Sequence, residues 1–341
     1  MQLVYRNEER LFRWMLVWSV LVWAVLLFIT FGLALVCLLF GFLFYCVAQS
    51  ALISYIKGNG VRITDEQFPD LKGQISACCR KLGLDEEPQA YLMRMGGMLN
   101  AFATRFLGRH FLVLYSDVVD SLADNPDALN FYIGHEIGHI KRKHLSWSTI
   151  LMPASALPLI GPAYSRAREY TCDRHGLAAC DNPQNAEHGL AVLAAGGKRA
   201  RMMNNQAYVD QARHTEGFWM SFHELIGDYP WLVKRMAAVR ALAAGHEVRQ
   251  PPRSKLAAAL AVFVPRTGVV GGAAAIVPIF VIAVMAAVAI PAYKQYQQRA
   301  QEMAALQSMM GGLEQRVDDA AREAEAAAVS PGDRASTPSG H

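Results

Sequence analysis

His135-Glu136-Ile137-Gly138-His139 is the stretch on which the reading of this chain turns. Asn125-Pro126 opens a helix ahead of it, with the proline at the first turn, and Leu129, Tyr132, Ile133, Glu136 and Ile140 recur at helical spacing. Positions i and i+4 of a helix share one face. His135 and His139 therefore present two imidazoles to one point, as a tetrahedral zinc ion with nitrogen ligands requires. Glu136, one residue on, reaches the same cavity, where its carboxylate can take a proton from water that the metal has made acidic. The pattern is short, so its surroundings must carry the rest.

A catalytic zinc site needs a third protein ligand and an open position. Glu169-Tyr170-Thr171-Cys172-Asp173 offers two carboxylates one helical turn apart. Glu169 can complete a two-histidine, one-glutamate set. Asp173 is placed to accept a hydrogen bond from the second nitrogen of a ligand histidine. With Arg166 and Arg168 just before it, the same pair also reads as a solvated helix face. A three-histidine site is disfavoured, because Leu145 stands where the longer HExxHxxGxxH pattern needs its third histidine and Arg142 replaces its glycine. His144, five residues past His139, projects from another face of a continued helix and reads as a solvent or membrane-interface residue. His175, near Asp173, is a weaker supporting candidate. Lys141, Arg142 and Lys143 form a basic patch suited to lipid head groups.

Composition points to a membrane. Hydrophobic residues make up 53% of the 341 and charged residues only 18%, against about 25% charged in ordinary globular domains. Residues 11–56 are nearly free of charge after Arg13, a run about twice the ~20 residues that cross a bilayer once. Two helices joined near Thr30-Phe31-Gly32 fit it best, with a single long tilted helix as the alternative. Arg6, Arg10 and Arg13 precede the run and Lys57 and Arg62 follow it, which by the positive-inside rule puts both ends in the cytoplasm. A further apolar run, Gly268 to Ile290, has spanning length. The proline-broken stretch Trp147 to Tyr164 reads equally as a membrane-proximal element or as core. The net charge of +4 is too small to argue for nucleic acid, and the scattered cysteines form no disulfide or CxxC framework.

Between these runs the pattern is globular. Thr64-Asp65-Glu66-Gln67 reads as a capping box opening a helix, and Ala90–Met93 and Phe111–Tyr115 read as short strands. The fold class expected is α+β, mainly helical. The expected divisions are a tail and transmembrane hairpin at 1–56, a metallopeptidase domain at 57–252, a linker and transmembrane helix at 253–293, and a helical then disordered tail at 294–341.

Over roughly Val61 to Leu242 the chain resembles the membrane-bound zinc metallopeptidases grouped with the heat-shock protease HtpX and the CAAX prenyl endopeptidase. The residues that carry the likeness are Thr64 to Leu71, Asn100-Ala101-Phe102-Ala103-Thr104, His135 to His139, Glu169 with Asp173, and Asp228-Tyr229-Pro230-Trp231 through Val239. The resemblance implies a zincin-like catalytic domain holding one Zn2+ through His135, His139 and Glu169, with Glu136 as general base. It implies that Asn100 and Ala101 pair with substrate backbone and that Arg235 polarises the scissile carbonyl or organises the site. The family has a histidine where this chain has Tyr229, whose hydroxyl can still donate to an oxyanion. Separately, Ile282 to Tyr293 resembles the first helix of type IV pilins but lacks their cleavage signature, and no pilus role is assigned to it.

The function expected is a metalloendopeptidase anchored in the bilayer, in a bacterial inner membrane with its catalytic domain facing the cytoplasm, acting on membrane-associated or misfolded proteins. The alternatives are a scaffold that kept the fold without turnover, and an assembly component acting through its helical tail. Nothing in the sequence sets the oligomeric state.

Overall fold

The structure, a computed structural model, describes residues 2–247, 249–264 and 273–328, with side chains in the last stretch described at 291, 293–313 and 315–324. Two compact units divide the chain, Met1–Val269 and Val270–His341. The first opens with α1 (Arg6–Ile29) and α2 (Leu33–Asn59), which are 24 and 27 residues long and apolar enough to cross a membrane. Their joint falls at the expected place. Gly32 sits at φ 82°, a left-handed conformation that glycine adopts without strain, and Thr30 Oγ1 accepts the Ala34 N–H at 3.1 Å. Little of either helix is buried, and Phe28, Phe40 and Val47 face outward.

After β1 (Val61–Arg62) come α3 (Pro69–Leu82), β2 (Gln89–Met93), β3 (Ala101–Phe106), β4 (Arg109–Tyr115) and α4 (Ser116–Ser121). Residues 64–67 close a turn on themselves, Gln67 N–H donating to Thr64 Oγ1 at 3.1 Å, so they do not cap α3. Phe68, in a left-handed conformation, sits ahead of Pro69 at the first turn of α3; a proline disfavours helical backbone in the residue before it. The sheet runs β1-β2-β4-β3, with β2 and β4 parallel and β3 antiparallel to β4. β3 is thus an edge strand. The sequence pattern marks β2 and β4 as strands but not β3, for which only the family resemblance implies a substrate-pairing edge at Asn100-Ala101.

The remaining elements are α5 (Pro126–Lys141), α6 (His144–Trp147), α7 (Met152–Ser155), α8 (Ile160–Ala179), α9 (Pro183–Ala195), α10 (Gly197–Ala200), α11 (Asn205–Asp210), a 3-10 turn (Gln211–Thr215), α12 (Phe218–Ile226), α13 (Leu232–Ala243) and α14 (Lys255–Ala261). α5 is the central helix, packed on α3, α8, α9 and β3, and its pairing with α8 is the most extensive among the described residues. Ile133 and Ile137 of α5 are fully buried among Leu112, Leu114, Leu190 and Met236. The Trp147–Tyr164 stretch packs on α1, where Met15, Leu151, Ala154 and Tyr164 share one buried cluster.

In the second unit α15 (Ala273–Ala328) is one long helix. The span expected at 268–290 begins outside the described residues, and its side chains and most of those in the pilin-like segment lie outside them as well. The disordered tail expected at 330–341 also lies outside the described residues.

Candidate metal centre

α5 starts where the sequence says it should, with Asn125 Oδ1 accepting the Ala128 N–H at 3.4 Å and Pro126 next to it. What brings its histidines to α8 is the absence of side chains at Gly134 and Gly138. A Cβ on Gly134 would lie 2.4 Å from Ala179 Cβ and 2.9 Å from the His175 carbonyl oxygen, and one on Gly138 would lie 3.1 Å from His175 Cβ. At Gly134 a larger residue would force the two backbones apart, while at Gly138 it would press on the His175 side chain.

Across this contact Glu169 meets both histidines. His135 Nε2 lies 3.4 Å from Glu169 Oε2, and His139 Nε2 lies 3.6 Å from Glu169 Oε1. Two ligands bonded at about 2.0–2.1 Å to one tetrahedral zinc are about 3.3–3.4 Å apart, so each of these nitrogen–oxygen pairs lies near the spacing of two ligands on such an ion. Cys172 forms a second grouping with the two histidines, all ligand atoms lying within 4.8 Å of one another. Its sulfur sits 3.8 Å from His144 Nδ1, and burial pushes its thiol far up. Glu169 instead faces the Nε2 atoms of both histidines.

Asp173 stands behind His135, its Oδ1 3.0 Å from His135 Nδ1. Arg235, from α13, closes on it in a fork, with Nε 2.8 Å from Oδ2 and Nη2 2.6 Å from Oδ1, while its Nη1 lies 3.6 Å from Glu169 Oε2. All three are buried, so the pair on α8 is not a solvated face. Arg166 is buried as well, donating to the Gly227 carbonyl at 2.7 Å and pinning the turn that leads to Tyr229.

The charges follow from these contacts. Burial alone raises Glu169 and Asp173, yet their cationic partners outweigh it and hold both at about 2. Burial alone lowers His135, but its bonds to Asp173 and Glu169 lift it to about 10. Burial keeps His139 well below its ordinary value, with Glu169 offsetting only part of the effect. Glu136 is raised to about 7, first by burial. Its Oε2 accepts the backbone N–H of Ala103, at 2.8 Å, from the free edge of β3.

The other expected residues are distributed around this centre. Asn100 precedes β3, its carbonyl taken by Tyr115 N–H and its Oδ1 by the N–H of Ala101. Tyr229, on the turn between α12 and α13, is 62% exposed. Its phenol is raised first by the charge of Glu169 and then by burial. His144 corrects the sequence reading: it is 2% exposed, and its Nδ1 lies 3.1 Å from His139 Nδ1. Burial pulls it down to about 4. The hydrogen bond from Ala103 to Glu136 was also missed, since no sequence pattern marks which backbone N–H faces a carboxylate.

A histidine pair on one helix, a glutamate facing it from a second and a carboxylate beside them against an open strand edge make up the frame of a metallopeptidase. The Peptidase family M48 model matches residues 65–243, just over half of the chain, and the chain belongs to that family of zinc metallopeptidases. No curated protein matches it, and no solved structure does.

Proposed function

We propose that the protein is a membrane-anchored, zinc-dependent metalloendopeptidase in which His135, His139 and Glu169 hold the metal and Glu136 is the general base. The observation that carries this is the convergence of the His135 and His139 Nε2 atoms on the two oxygens of Glu169, at 3.4 and 3.6 Å. When bound, zinc supplies a Lewis acid that acidifies water and polarises a carbonyl. Glu136, raised to about 7, is poised to accept a proton near neutral pH and return it to the leaving amine. Asp173 accepts a hydrogen bond from Nδ1–H of His135 and so leaves the Nε2 lone pair for the metal. Arg235 holds Asp173 and faces Glu169, and the Tyr229 hydroxyl donates to the oxygen on which charge develops.

β3 gives the substrate a place to lie. As an edge strand it can take an extended peptide as an added strand, with Asn100 and Ala101 at its start and Ala103 opposite the general base. α1 and α2 would hold the site at a bilayer surface, with the catalytic unit on the cytoplasmic side, favouring membrane-associated or misfolded chains as substrates in quality control or processing. The second reading, an inactive scaffold, draws on Tyr229 standing where the resembled family has histidine.

One experiment separates the two. The purified protein is assayed for bound zinc and for casein cleavage, alongside Glu136→Gln. Zinc retained in both, with cleavage lost in the variant by about 10²–10⁴-fold, supports the enzyme. Equal cleavage would sink Glu136 as the base, and absence of zinc from the parent would sink the site.

A further inference from the structure

The two candidate ligand histidines are held differently on the sides facing away from Glu169. His135 has a carboxylate directly behind it. His139 has another histidine, and a buried chain of hydrogen bonds leads from there to the first turn of α1. His139 Nδ1 lies 3.1 Å from His144 Nδ1, and His144 Nε2 lies 3.1 Å from Glu8 Oε1. His144 and Glu8 are each 2% exposed. Glu8 Oε1 also accepts from Arg142 Nε at 3.1 Å, and Cys172 Sγ lies 3.8 Å from His144 Nδ1.

The direction of the hydrogen bonds in this chain is fixed from its far end. An ionised carboxylate only accepts, and the guanidinium of Arg142 beside Glu8 favours that ionised form. His144 Nε2 must therefore carry the proton that Glu8 receives. A neutral imidazole then has a bare Nδ1, which can only accept. The nitrogen facing it, His139 Nδ1, must be the donor. That leaves the lone pair of His139 on Nε2, the atom turned toward Glu169. The opposite tautomer of His144 would put two N–H groups, or two lone pairs, in opposition at one end of the chain or the other. A histidine's metal-binding nitrogen is set by the hydrogen bond its other nitrogen makes.

We propose that Glu8 and His144 are positioning residues for the metal: Glu8, through His144, holds His139 in the tautomer that offers Nε2, so the first turn of α1 completes the metal site. The inference rests on the zinc reading above. It gives α1 a role beyond any anchoring, because the hydrogen-bond chain that orients one ligand ends on that helix. Asp173 does the same for His135 in one step, so each histidine has its own carboxylate, one on α8 and the other on α1.

The test uses the full-length protein and measures zinc affinity by competition with a chelator, together with the visible absorption spectrum after cobalt is substituted for zinc. Glu8→Ala and His144→Ala are each expected to weaken zinc binding by about 10–100-fold, the usual cost of removing a group that orients a ligand, and to shift the cobalt bands. The double variant should bind no more weakly than His144→Ala alone, because Glu8 acts only through His144. His144→Asn, which keeps an acceptor oxygen opposite His139 Nδ1, should recover most of the affinity lost in His144→Ala. Glu8→Gln, which preserves volume and an acceptor, should do the same for Glu8→Ala. Should an alanine variant fail to fold, the conservative partner is read instead: His144→Asn within a few-fold of the parent supports the chain, and a cobalt spectrum unlike the parent's overturns it.

Parent-like affinity and spectrum in both alanine variants, or additive losses in the double variant, would overturn the inference while leaving the zinc site intact. A parent that binds no zinc overturns the metal reading itself, which is a separate result.

Discussion

Gly134→Ala should be damaging at a position where helix propensity alone calls it an improvement. In an unobstructed helix the change favours folding by about 1 kcal/mol. Here the new Cβ would lie 2.4 Å from Ala179 Cβ, 2.9 Å from the His175 carbonyl oxygen and 3.1 Å from Gly176 Cα. Carbon atoms rest about 3.5–4.0 Å apart, so relief requires roughly 1 Å of separation between α5 and α8. None of the obstructing atoms is the free end of a flexible side chain. Overpacking of this kind costs about 1–3 kcal/mol, and contact with unyielding atoms argues for the upper end. After the propensity gain, a net loss of about 2 kcal/mol remains, a fall of about 4–8 °C in melting temperature for a unit of this size.

The same displacement would spread the His135–Glu169 and His139–Glu169 distances from 3.4 and 3.6 Å, beyond the ~3.3–3.4 Å that tetrahedral zinc spans. Gly138→Ala, with its nearest contact at 3.1 Å, should cost less, and Gly73→Ala, exposed on α3 with nothing within 4 Å, should stabilise by about 0.4–1 kcal/mol. Thermal unfolding of the metal-free proteins and zinc content per chain give the two readouts. A Gly134→Ala protein as stable as the parent and fully loaded with zinc would refute the claim that these glycines set the site.

Other outcomes follow from the same geometry. Arg235→Leu strips the guanidinium fork from buried Asp173 and Glu169, leaving His135 as their remaining cationic partner, and should destabilise by about 3 kcal/mol, the low end for a broken buried pair, read by denaturant unfolding; a loss under 1 kcal/mol would mean the fork is dispensable. Ala103→Pro removes the N–H that Glu136 accepts while leaving the β3–β4 ladder its bonds, since proline is tolerated where a strand N–H points off the sheet. Cleavage should fall at least tenfold with melting little changed, and undiminished cleavage would count against the strand edge. With His135 at about 10 in the metal-free protein, zinc must displace its proton. Uptake at pH 7–9 should therefore release about one proton per zinc from this group, the yield vanishing as pH rises past 10, measured with an indicator dye in weak buffer. Because His135 is raised from its ordinary 6.5, its contribution to metal-free stability is full below pH 6.5 and is lost as pH rises through about 10. Glu169 and Asp173 are depressed, so their contribution is present above pH ~4 and is lost as pH falls through about 2. Metal-free melting temperature across pH checks both signs.

Much of the frame could be read in the sequence because its signals are local. The apolar run from 11 to 56 was broken at Thr30-Phe31-Gly32, and the joint between α1 and α2 lies there. Strands β2 and β4 were visible as apolar stretches. β3 escaped because Ala101-Phe102-Ala103-Thr104-Arg105-Phe106 puts alanine where a branched residue would advertise a strand. Its hairpin turns on Leu107-Gly108, with φ of 46° and 84°, not on the Asn-Gly or Asp-Gly pairs that mark such turns. At α3 the capping-box pattern was real as a turn but could not run on into the helix through the residue before Pro69.

The site was legible one helix at a time. Spacing put His135 with His139 and Glu169 with Asp173, yet which carboxylate faces both histidines depends on the register of α5 against α8. That register follows from contacts at Gly134, Gly138 and Gly176, whose meaning appears only when the opposing helix is in place. His144 failed for a sharper reason. Five residues along an unbroken helix turn a side chain well away from His139, but α5 ends at Lys141 and Lys143 takes a left-handed conformation, φ 56°, which starts a new helix and swings the ring back. A lysine in that conformation carries no sequence mark of the kind a glycine would. Glu8, which fixes the orientation of that ring, lies 136 residues earlier in the chain, ahead of the run that signalled an anchor. Reading that run for its length and hydropathy alone treats its first turn as a flank. The one buried carboxylate there sits where a simple anchor has no use for it, and its burial against His144 ties the helix to the chemistry.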